Sequence, residues 1–472
     1  MRDHELKERY VLLPAVLIVA SLLLVSLVAL NPYPSQEGTD KPAHIHLTWQ
    51  TNDMAHTIAV TWQSSMNDSG DMVLYDTIQR NGNPQSYSFS TQGINHTYLG
   101  SSGYIHDVEL VGLIPNALYY FICGGEKGGW SSERSFKTSP LVPSETRFVA
   151  GGDSRTDAVA RDKISQIMST FDPDFVLFNG DMVADGDSQG QWDDFLDHMD
   201  ACWIGNNGLT IPIVPALGNH ERNSTNYYEQ FALVGNERWY SINWGSEIHI
   251  IVLDSEANLE DIITQANWLD EDLEEHSSYL WKFVTFHRNV FRSNHESWTL
   301  AFDYWVPIFD KYHVDIVFNG HSHNYMRTKP INWTESNTTP QSSYLNGTMY
   351  VVTGAWGAPL YDVTGGWWAA YNRSIHHFTI VDVFDNRTLS LKAKDDSGTT
   401  FDEVWIDKSA PGNGNNDSNG KPNDSDILNI FALCRGKASH VCFFINNICL
   451  LVTNRMGNYL SKPIRAYLWL YV

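Results

Sequence analysis

The sequence predicts an α/β sandwich that follows an all-β sandwich and an N-terminal transmembrane helix. Three observations lead to this prediction. Residues 11–30 are uncharged and almost entirely apolar. Residues 43–140 contain short alternating runs separated by Gly, Asn and Ser clusters, a pattern typical of β-strands and turns. From residue 145 to about residue 395, nearly continuous apolar strand runs alternate with helical stretches, such as residues 158–171 and 265–276, as expected for a sheet covered on both faces.

The N-terminal apolar run is long enough to cross a bilayer, because a spanning helix needs about 20 residues and a secretory signal core only about 7–15. No small-x-small cleavage site follows it. We therefore expect residues 1–42 to be a retained signal anchor and spacer. The protein would be membrane-anchored, or secreted if the segment is cleaved, with its bulk outside the cytoplasm. N-glycosylation sequons fit an exported chain and recur at Asn67, Asn95, Asn223, Asn332, Asn337, Asn346, Asn372 and Asn386.

The predicted β-sandwich spans residues 43–140. Its run Leu113-x-Pro115-x-x-x-Tyr119 resembles the fibronectin type III pattern that leads into a tyrosine corner. We expect this domain to serve as a spacer and packing platform without chemistry of its own.

The C-terminal residues 409–472 are predicted to be a linker and an atypical tail. Residues 411–426 are rich in Gly, Asn, Asp and Ser, and residues 427–472 contain no Asp or Glu but three of the five cysteines. One interpretation is a second membrane-associated segment, although it is short for a span. The other, which we favour, is a tail unrelated to the fold.

The formal net charge of −24 bears on the class of partner. A nucleic-acid backbone is bound by clustered Lys and Arg, so no nucleic-acid partner is expected. A small phosphorylated substrate remains compatible with this charge, because bound metal cations reverse its sign locally.

Five short motifs follow strand-like runs of the predicted α/β domain, and each offers oxygen or imidazole groups. Functional groups collect at the carboxyl ends of strands in such sheets, so we expect the five motifs to meet. They are Gly152-Asp153-Ser154-Arg155, Gly180-Asp181, Gly218-Asn219-His220-Glu221, Val284-Thr285-Phe286-His287 and Gly320-His321-Ser322-His323.

The five motifs in this order resemble the calcineurin-like metallophosphoesterase superfamily. With the preceding fibronectin-like domain, the chain is most similar to the purple acid phosphatases. This resemblance implies an αββα sandwich over residues 145–408. It also implies that Asp153 and His323 bind a first metal, that Asp181 bridges both metals, and that a second metal is held by Asn219, His287 and His321.

The resemblance also implies a reaction, in which a hydroxide between the metals attacks a phosphoryl group. His220 would protonate the leaving oxygen. Arg155 could clamp a phosphate oxygen or instead pair with Glu221 or an Asp. His295 lies near the position of a substrate-side histidine in the family, and Arg288 and Arg327 are weaker candidates for the site.

Two positions depart from the family pattern. The purple enzymes have a metal-binding tyrosine at the place of Ala184, and other members have a histidine at the place of Arg155. Oxygen and imidazole ligands suit Zn²⁺, Mn²⁺ or Fe. Without the tyrosinate, we expect a divalent pair of metal ions, no charge-transfer colour and a weaker first site.

The sequence thus predicts a metal-dependent phosphoric ester hydrolase acting on a small phosphorylated substrate, with monoesters first. A phosphodiesterase or nucleotidase of the same fold is one alternative, since Trp192, Tyr227, Tyr228 and Trp298 could stack on a base. A non-catalytic surface binding module with a degenerate metal site is the other.

Overall fold

The computed structural model describes residues 40–409, except Asp68, Pro143 and residues 294–299. The predicted membrane helix at residues 11–30 and the tail from residue 410 lie outside the described residues. Within the described part of the chain, no helix is long and apolar enough to span a membrane.

The first domain is a β-sandwich of two antiparallel sheets. One sheet has the strand order β1-β2-β6-β5, and the other has the order β4-β3-β7-β8 with β9 paired to β7. The strands are β1 (Ala43–Thr48), β2 (Thr57–Ser64), β3 (Met72–Asp76), β4 (Phe89–Gln92), β5 (Ile94–His96), β6 (Tyr104–Val111), β7 (Leu118–Gly125), β8 (Gly129–Trp130) and β9 (Arg134–Lys137).

The tyrosine corner of this domain forms as its sequence pattern indicates. The Ile114 backbone N–H donates to the Tyr119 hydroxyl over 2.9 Å. The Tyr119 ring stacks on Phe136, with 5.5 Å between the ring centroids. Burial of such rings between the two sheets supplies the core of a small sandwich, at about 1.5–3 kcal/mol for each large apolar side chain.

The second domain contains two further sheets. The six-stranded sheet has the order β12-β11-β10-β20-β21-β22, and the seven-stranded sheet has the order β13-β14-β15-β16-β18-β17-β19. Strands β10 to β12 are mutually parallel, as are β14, β15, β16 and β18. The strands are β10 (Thr146–Gly151), β11 (Phe175–Phe178), β12 (Ile213–Pro215), β13 (Tyr240–Trp244), β14 (Ile248–Val252), β15 (Trp281–Phe286), β16 (Ile316–Asn319), β17 (Tyr325–Thr328), β18 (Met349–Thr353), β19 (Ala369–Arg373), β20 (His377–Val383), β21 (Thr388–Asp395) and β22 (Thr400–Asp407).

The two sheets pack face to face through aromatic side chains. Phe148 of β10 contacts Phe283 of β15 and Phe318 of β16, with ring centroids 5.1 and 6.0 Å apart. Apolar helix faces cover the outer sides of the sheets, which confirms the predicted αββα sandwich. The helices are α1 (Ala158–Ser169), α2 (Gln189–Cys202), α3 (Thr225–Gln230), α4 (Leu259–Glu275) and α5 (Leu300–Tyr312).

One predicted helix begins earlier than its apolar pattern indicates. The sequence predicts a helix over residues 265–276, whereas α4 spans Leu259–Glu275. The Asn258 side chain accepts a hydrogen bond from the Asp261 N–H over 3.0 Å and so caps the helix at its true start. Glu260 and Asp261 also lie in the first turn, where acidic groups interact favourably with the helix dipole.

The β-sandwich contacts the second domain through segments that follow the metal-site motifs. The Thr48 hydroxyl donates to the Ala232 carbonyl over 2.7 Å. The Tyr98 hydroxyl donates to Gln189 over 2.5 Å and accepts from Gln230 over 2.6 Å. These contacts support the expected role of the sandwich as a packing platform.

Arg327, considered from sequence as a weak candidate for the site, joins the two sheets instead. Its Nε and Nη2 atoms donate to Oδ2 and Oδ1 of Asp402 over 2.7 and 2.9 Å. Tyr325 donates to the same carboxylate over 2.8 Å. Since Arg327 lies on β17 and Asp402 on β22, this ion pair links the seven-stranded sheet to the edge of the six-stranded sheet.

Removing one partner from this ion pair should strongly destabilise the protein. We expect Asp402→Ala to lower the free energy of unfolding by about 3–5 kcal/mol, because a buried guanidinium is left without its counter-charge. The exposed pair of Lys163 and Asp396, 2.6 Å apart, provides the control. Asp396→Ala should cost about 1 kcal/mol or less. Equal losses in chemical denaturation would contradict the structural role of the Arg327–Asp402 pair.

Candidate metal centre

The five predicted motifs meet at one edge of the two sheets. The first three follow the parallel strands β10, β11 and β12, and the last two follow the parallel strands β15 and β16. Carboxyl ends of parallel strands share an edge, so the motifs converge. The structure brings together all six side chains predicted to bind metal, namely Asp153, Asp181, Asn219, His287, His321 and His323.

Three of these residues have left-handed backbone conformations. Their φ angles are 58° at Asp153, 56° at Asp181 and 66° at His321. The neighbouring Gly180 also has a positive φ, of 87°, so the turn before Asp181 involves both residues. Gly320 serves a different purpose, because a Cβ atom there would lie 2.5 Å from Asp153 Oδ2. Such strain is concentrated at functional sites.

We call the predicted sites of the first and second metal the first and second positions. The donors predicted for the second position are Asp181, Asn219, His287 and His321. His287 Nε2 lies 3.0 Å from Asn219 Oδ1, 3.4 Å from Asp181 Oδ1 and 3.2 Å from His321 Nδ1. His287 Nδ1 lies 2.8 Å from the Asn179 carbonyl oxygen. A carbonyl only accepts, so Nδ1 carries the hydrogen and Nε2 presents its lone pair to the group. This is the usual arrangement of a metal-binding histidine.

The first-position donors are Asp153, Asp181 and His323, whose ligand atoms lie within 4.8 Å of one another. His323 Nε2 is 3.3 Å from Asp153 Oδ1. His323 Nδ1 lies 2.7 Å from the Pro359 carbonyl oxygen, which again leaves Nε2 as the ligand atom. Asp153 Oδ2 accepts from the His321 N–H over 2.9 Å. Among the described residues, Asp153 Oδ1 is buried and has no hydrogen-bond donor.

The two sets of donors share Asp181 and form two adjacent positions with the ligand types of a metal centre. A buried carboxylate oxygen without a partner is unfavourable, and a cation at the first position would satisfy Asp153 Oδ1. Carboxylate, amide and imidazole ligands suit Zn²⁺, Mn²⁺ or Fe. The aspartates differ in their electrostatic surroundings. Burial raises the pKa of Asp153 to about 7. Burial acts in the same direction on Asp181, but His287, His220 and Arg155 together lower its pKa.

His220 lies beside both sets of donors, as expected. Its backbone N–H donates to Asp181 Oδ1 over 2.9 Å. Its Nδ1 atom lies 2.6 Å from the Ala184 carbonyl oxygen, so Nδ1 carries a hydrogen. Its Nε2 atom is 3.9 Å from Asp181 Oδ2. The side chain is 28% exposed, which leaves it accessible to a substrate.

Two arginines also contact histidines of the two donor sets. Arg155 Nε lies 3.1 Å from Asp181 Oδ2, and Nη2 lies 3.1 Å from His323 Nε2. The aspartate partner foreseen for Arg155 is therefore Asp181. Arg288 Nη1 lies 3.2 Å from His321 Nε2, and Glu256 holds the same guanidinium through bonds of 3.0 and 2.9 Å. Sequence reasoning gave Arg288 only a weak place in the site.

Glu221 connects two of the motifs, a role that sequence reasoning did not assign to it. Its Oε2 atom accepts from the backbone N–H groups of Asp181 and Gly218 over 2.8 and 2.7 Å, and Oε1 accepts from Met182 over 2.7 Å. Burial raises the pKa of Glu221 to about 8, whereas the three N–H donors favour its charged form. The carboxylate fixes the loop that carries Asp181 against the loop that carries Asn219.

Replacing this carboxylate should loosen the centre. We expect Glu221→Gln to lower the free energy of unfolding by about 1–3 kcal/mol, because an amide NH₂ would face a backbone N–H that then lacks an acceptor. Metal affinity should fall as well, since the loops of Asp181 and Asn219 are no longer held together. Thermal unfolding and metal titration measure the two effects. Glu274→Gln, on the exposed side of α4, is the control. Identical behaviour of the two variants would contradict the role of Glu221 in holding the two loops together.

The remaining predicted site residues have different outcomes. His295 lies outside the described residues, in the segment 294–299. Trp192 and Tyr227 are fully buried, so they pack in the core and do not face a substrate. Tyr361 was missed by sequence reasoning. Its ring stacks on His323 with 4.0 Å between centroids, and 36% of the residue is exposed.

Comparison with known families agrees with this geometry. Residues 42–138 match the purple acid phosphatase N-terminal domain, and residues 152–325 match the calcineurin-like phosphoesterase family. These two matches support the resemblance that the motifs indicate, a purple acid phosphatase N-terminal domain followed by a calcineurin-like metallophosphoesterase domain. The chain is similar to the purple acid phosphatases, a family that uses a dinuclear metal centre.

Individual relatives support the same placement. The chain is 29% identical to a phosphoenolpyruvate phosphatase of Allium cepa, over 64% of this chain and 66% of the relative. It is 28% identical to the acid phosphatase type 7 of Mus musculus, over 64% of this chain and 77% of the relative. It is 26% identical to the probable inactive purple acid phosphatase 1 of Arabidopsis thaliana, over 65% of this chain but only 58% of the relative.

A solved structure shares the fold. The purple acid phosphatase isolated from yellow lupin seeds superposes with a TM-score of 0.67 at 23% identity, covering 78% of this chain and 74% of that chain. The likeness supports the architecture of a β-sandwich followed by an α/β metallophosphoesterase domain.

Proposed function

We propose that this protein is a metal-dependent phosphoric monoester hydrolase. The observation that carries the proposal is the pair of donor sets that share Asp181, with His220 beside them. The phosphatase relatives in onion and mouse point to the same reaction class. A small phosphorylated molecule is the proposed substrate.

The residues of the centre have distinct roles in this proposal. When bound, the metal ions supply an acidified water and neutralise charge on the phosphoryl oxygens. Asp181 holds the two positions at a fixed separation. The Ala184 carbonyl holds the Nδ1 hydrogen of His220 and so orients the ring, and in its imidazolium form the ring would donate the Nε2 proton to the leaving oxygen. General acid assistance of this kind is typically worth about 10²–10⁴-fold in rate.

The proposal of a monoester substrate rests partly on the surroundings of the site. The nucleotidase alternative depends on exposed aromatic side chains that could stack on a base. Trp192 and Tyr227 are buried, which removes two of the four aromatics considered from sequence. Tyr361 can still contact a substrate, but a single ring beside His323 fits a small molecule as well as a nucleotide. The absence of a nucleic-acid partner stays a prediction.

Hydrolysis should depend on Asp181. Full-length protein supplied with Mn²⁺ or Zn²⁺ should hydrolyse p-nitrophenyl phosphate faster than bis(p-nitrophenyl) phosphate. Asp181→Asn should abolish turnover and metal retention together, because it weakens both donor sets. A faster diester reaction would favour the phosphodiesterase alternative. A folded, metal-free wild-type protein without turnover would favour the non-catalytic binding module.

A second variant tests the general-acid role of His220 independently of metal binding. His220→Ala should retain the metals and should lower kcat by about 10²–10⁴-fold for esters with poor leaving groups. The loss should be smaller for p-nitrophenyl phosphate, whose leaving group needs little protonation. An equal loss on both classes of ester would contradict the role of His220 as general acid.

We also propose that the chain is exported and held at the membrane by the segment at residues 11–30. Six of the eight sequon asparagines of the sequence analysis are exposed, whereas Asn332 is buried. In eukaryotic cells, N-glycosidase treatment should therefore shift the mobility of the protein, and the protein should fractionate with membranes. Asn332→Gln, at the buried sequon, should not alter the glycan-dependent shift. An unglycosylated wild-type protein would contradict export.

A further inference from the structure

Arg155 lies inside the metal centre. It follows Asp153 by two residues at the end of β10, and its side chain is only 14% exposed. Its guanidinium contacts two atoms, Asp181 Oδ2 and His323 Nε2, both at 3.1 Å. Each of these atoms belongs to a first-position donor.

The two contacted atoms belong to two of the three donors that a first metal ion would need. Asp181 Oδ1 faces the second position, where it lies 3.4 Å from His287 Nε2, so Oδ2 is the oxygen that faces the first position. His323 Nδ1 is held by the Pro359 carbonyl, so Nε2 carries the lone pair. A guanidinium hydrogen and a metal ion therefore compete for the same lone pairs. Arginine does not give up its proton in proteins, so Arg155 cannot become a ligand itself.

The second position differs in this respect. Arg288 approaches His321 at Nε2, whereas the atom of His321 that faces His287 is Nδ1. Arg288 thus contacts the outer side of a ligand ring, and Arg155 contacts the inner side of another. Among the described contacts, a cationic side chain therefore reaches the inward-facing donor atoms at the first position.

The residue at position 184 also weakens metal binding at the first position. Ala184 replaces the tyrosinate that the resemblance to purple acid phosphatases would place there, and an alanine side chain offers no ligand atom. One anionic ligand is therefore missing from the position that has gained a fixed positive charge. Both differences lower the affinity of the first position for a metal ion.

The geometry points to a centre in which Arg155 replaces the first metal ion. In this arrangement the protein binds one ion tightly, at the second position, and Arg155 supplies the positive charge at the first. A guanidinium forms paired hydrogen bonds with phosphate oxygens, so Arg155 can also hold the phosphoryl group of the substrate. This inference rests on the proposed metal-dependent function and specifies how many ions that function uses.

The test counts metal ions in the full-length protein. After equilibration with Mn²⁺ and removal of free ion, elemental analysis should find about one ion per wild-type chain. Arg155→Ala should bind about two, because Asp181 Oδ2 and His323 Nε2 become available. Arg155→Lys, which keeps a positive charge, should stay near one. Arg222→Ala is the matched control. Arg222 pairs with Asp185 over 2.9 Å and contacts no metal donor in the described contacts, so this variant should also bind one.

A further variant and a spectrum locate the added ion. Asp153→Asn, introduced together with Arg155→Ala, should return the count to about one. Electron paramagnetic resonance should show an isolated Mn²⁺ in the wild type and a coupled pair in Arg155→Ala. If Arg155→Ala does not fold, Arg155→Met preserves the apolar stem of the side chain and serves in its place.

The possible results separate this inference from the proposed function. Two ions per wild-type chain would contradict the inference that Arg155 replaces the first metal ion, while the proposed metal-dependent hydrolase function would stand. One ion in both the wild type and Arg155→Ala would overturn the inference as well, because the first position would then lack affinity for another reason. No ion in any variant would overturn the proposed function itself.

Discussion

The cost of burying negative charge governs the organisation of this protein. Asp153, Asp181 and Glu221 are each at most 1% exposed and lie in neighbouring loops at one sheet edge. Unpaired ionised carboxylates are strongly disfavoured in such surroundings. Each is compensated differently. Glu221 receives three backbone N–H donors, Asp181 receives Arg155 and the His220 N–H, and Asp153 receives the His321 N–H on one oxygen. The loops therefore adopt the conformation that supplies these partners.

The convergence of the predicted donor residues could be foreseen from sequence, because their positions are encoded locally. Asp153, Asp181 and His287 each follow a strand closely, so recognising the strand places the side chain at the sheet edge. The start of α4 is also encoded locally, in the cap that Asn258 forms with the Asp261 N–H. The prediction placed the start too late because it relied on apolar periodicity, which contains no information about caps.

Other features depend on contacts between distant segments. Arg327 and Asp402 are 75 residues apart along the chain, and nothing near either residue indicates that they pair. The same holds for Arg155 and His323, which are separated by 168 residues. Sequence motifs established which residue types reach the centre, whereas the partner of each charged group depends on how the two sheets pack against each other.

The left-handed backbone of the ligand residues has a consequence for how substitutions behave. Asparagine tolerates this conformation at least as well as aspartate, whereas most other side chains lose about 1–2 kcal/mol in it. At Asp153 and Asp181, exchange to asparagine therefore removes charge while leaving the loop shape intact. Exchange to alanine adds a conformational penalty, so its effects mix lost coordination with a distorted turn. The same backbone constraint narrows the residues that natural variation can sample at these positions, independently of any demand from the metal.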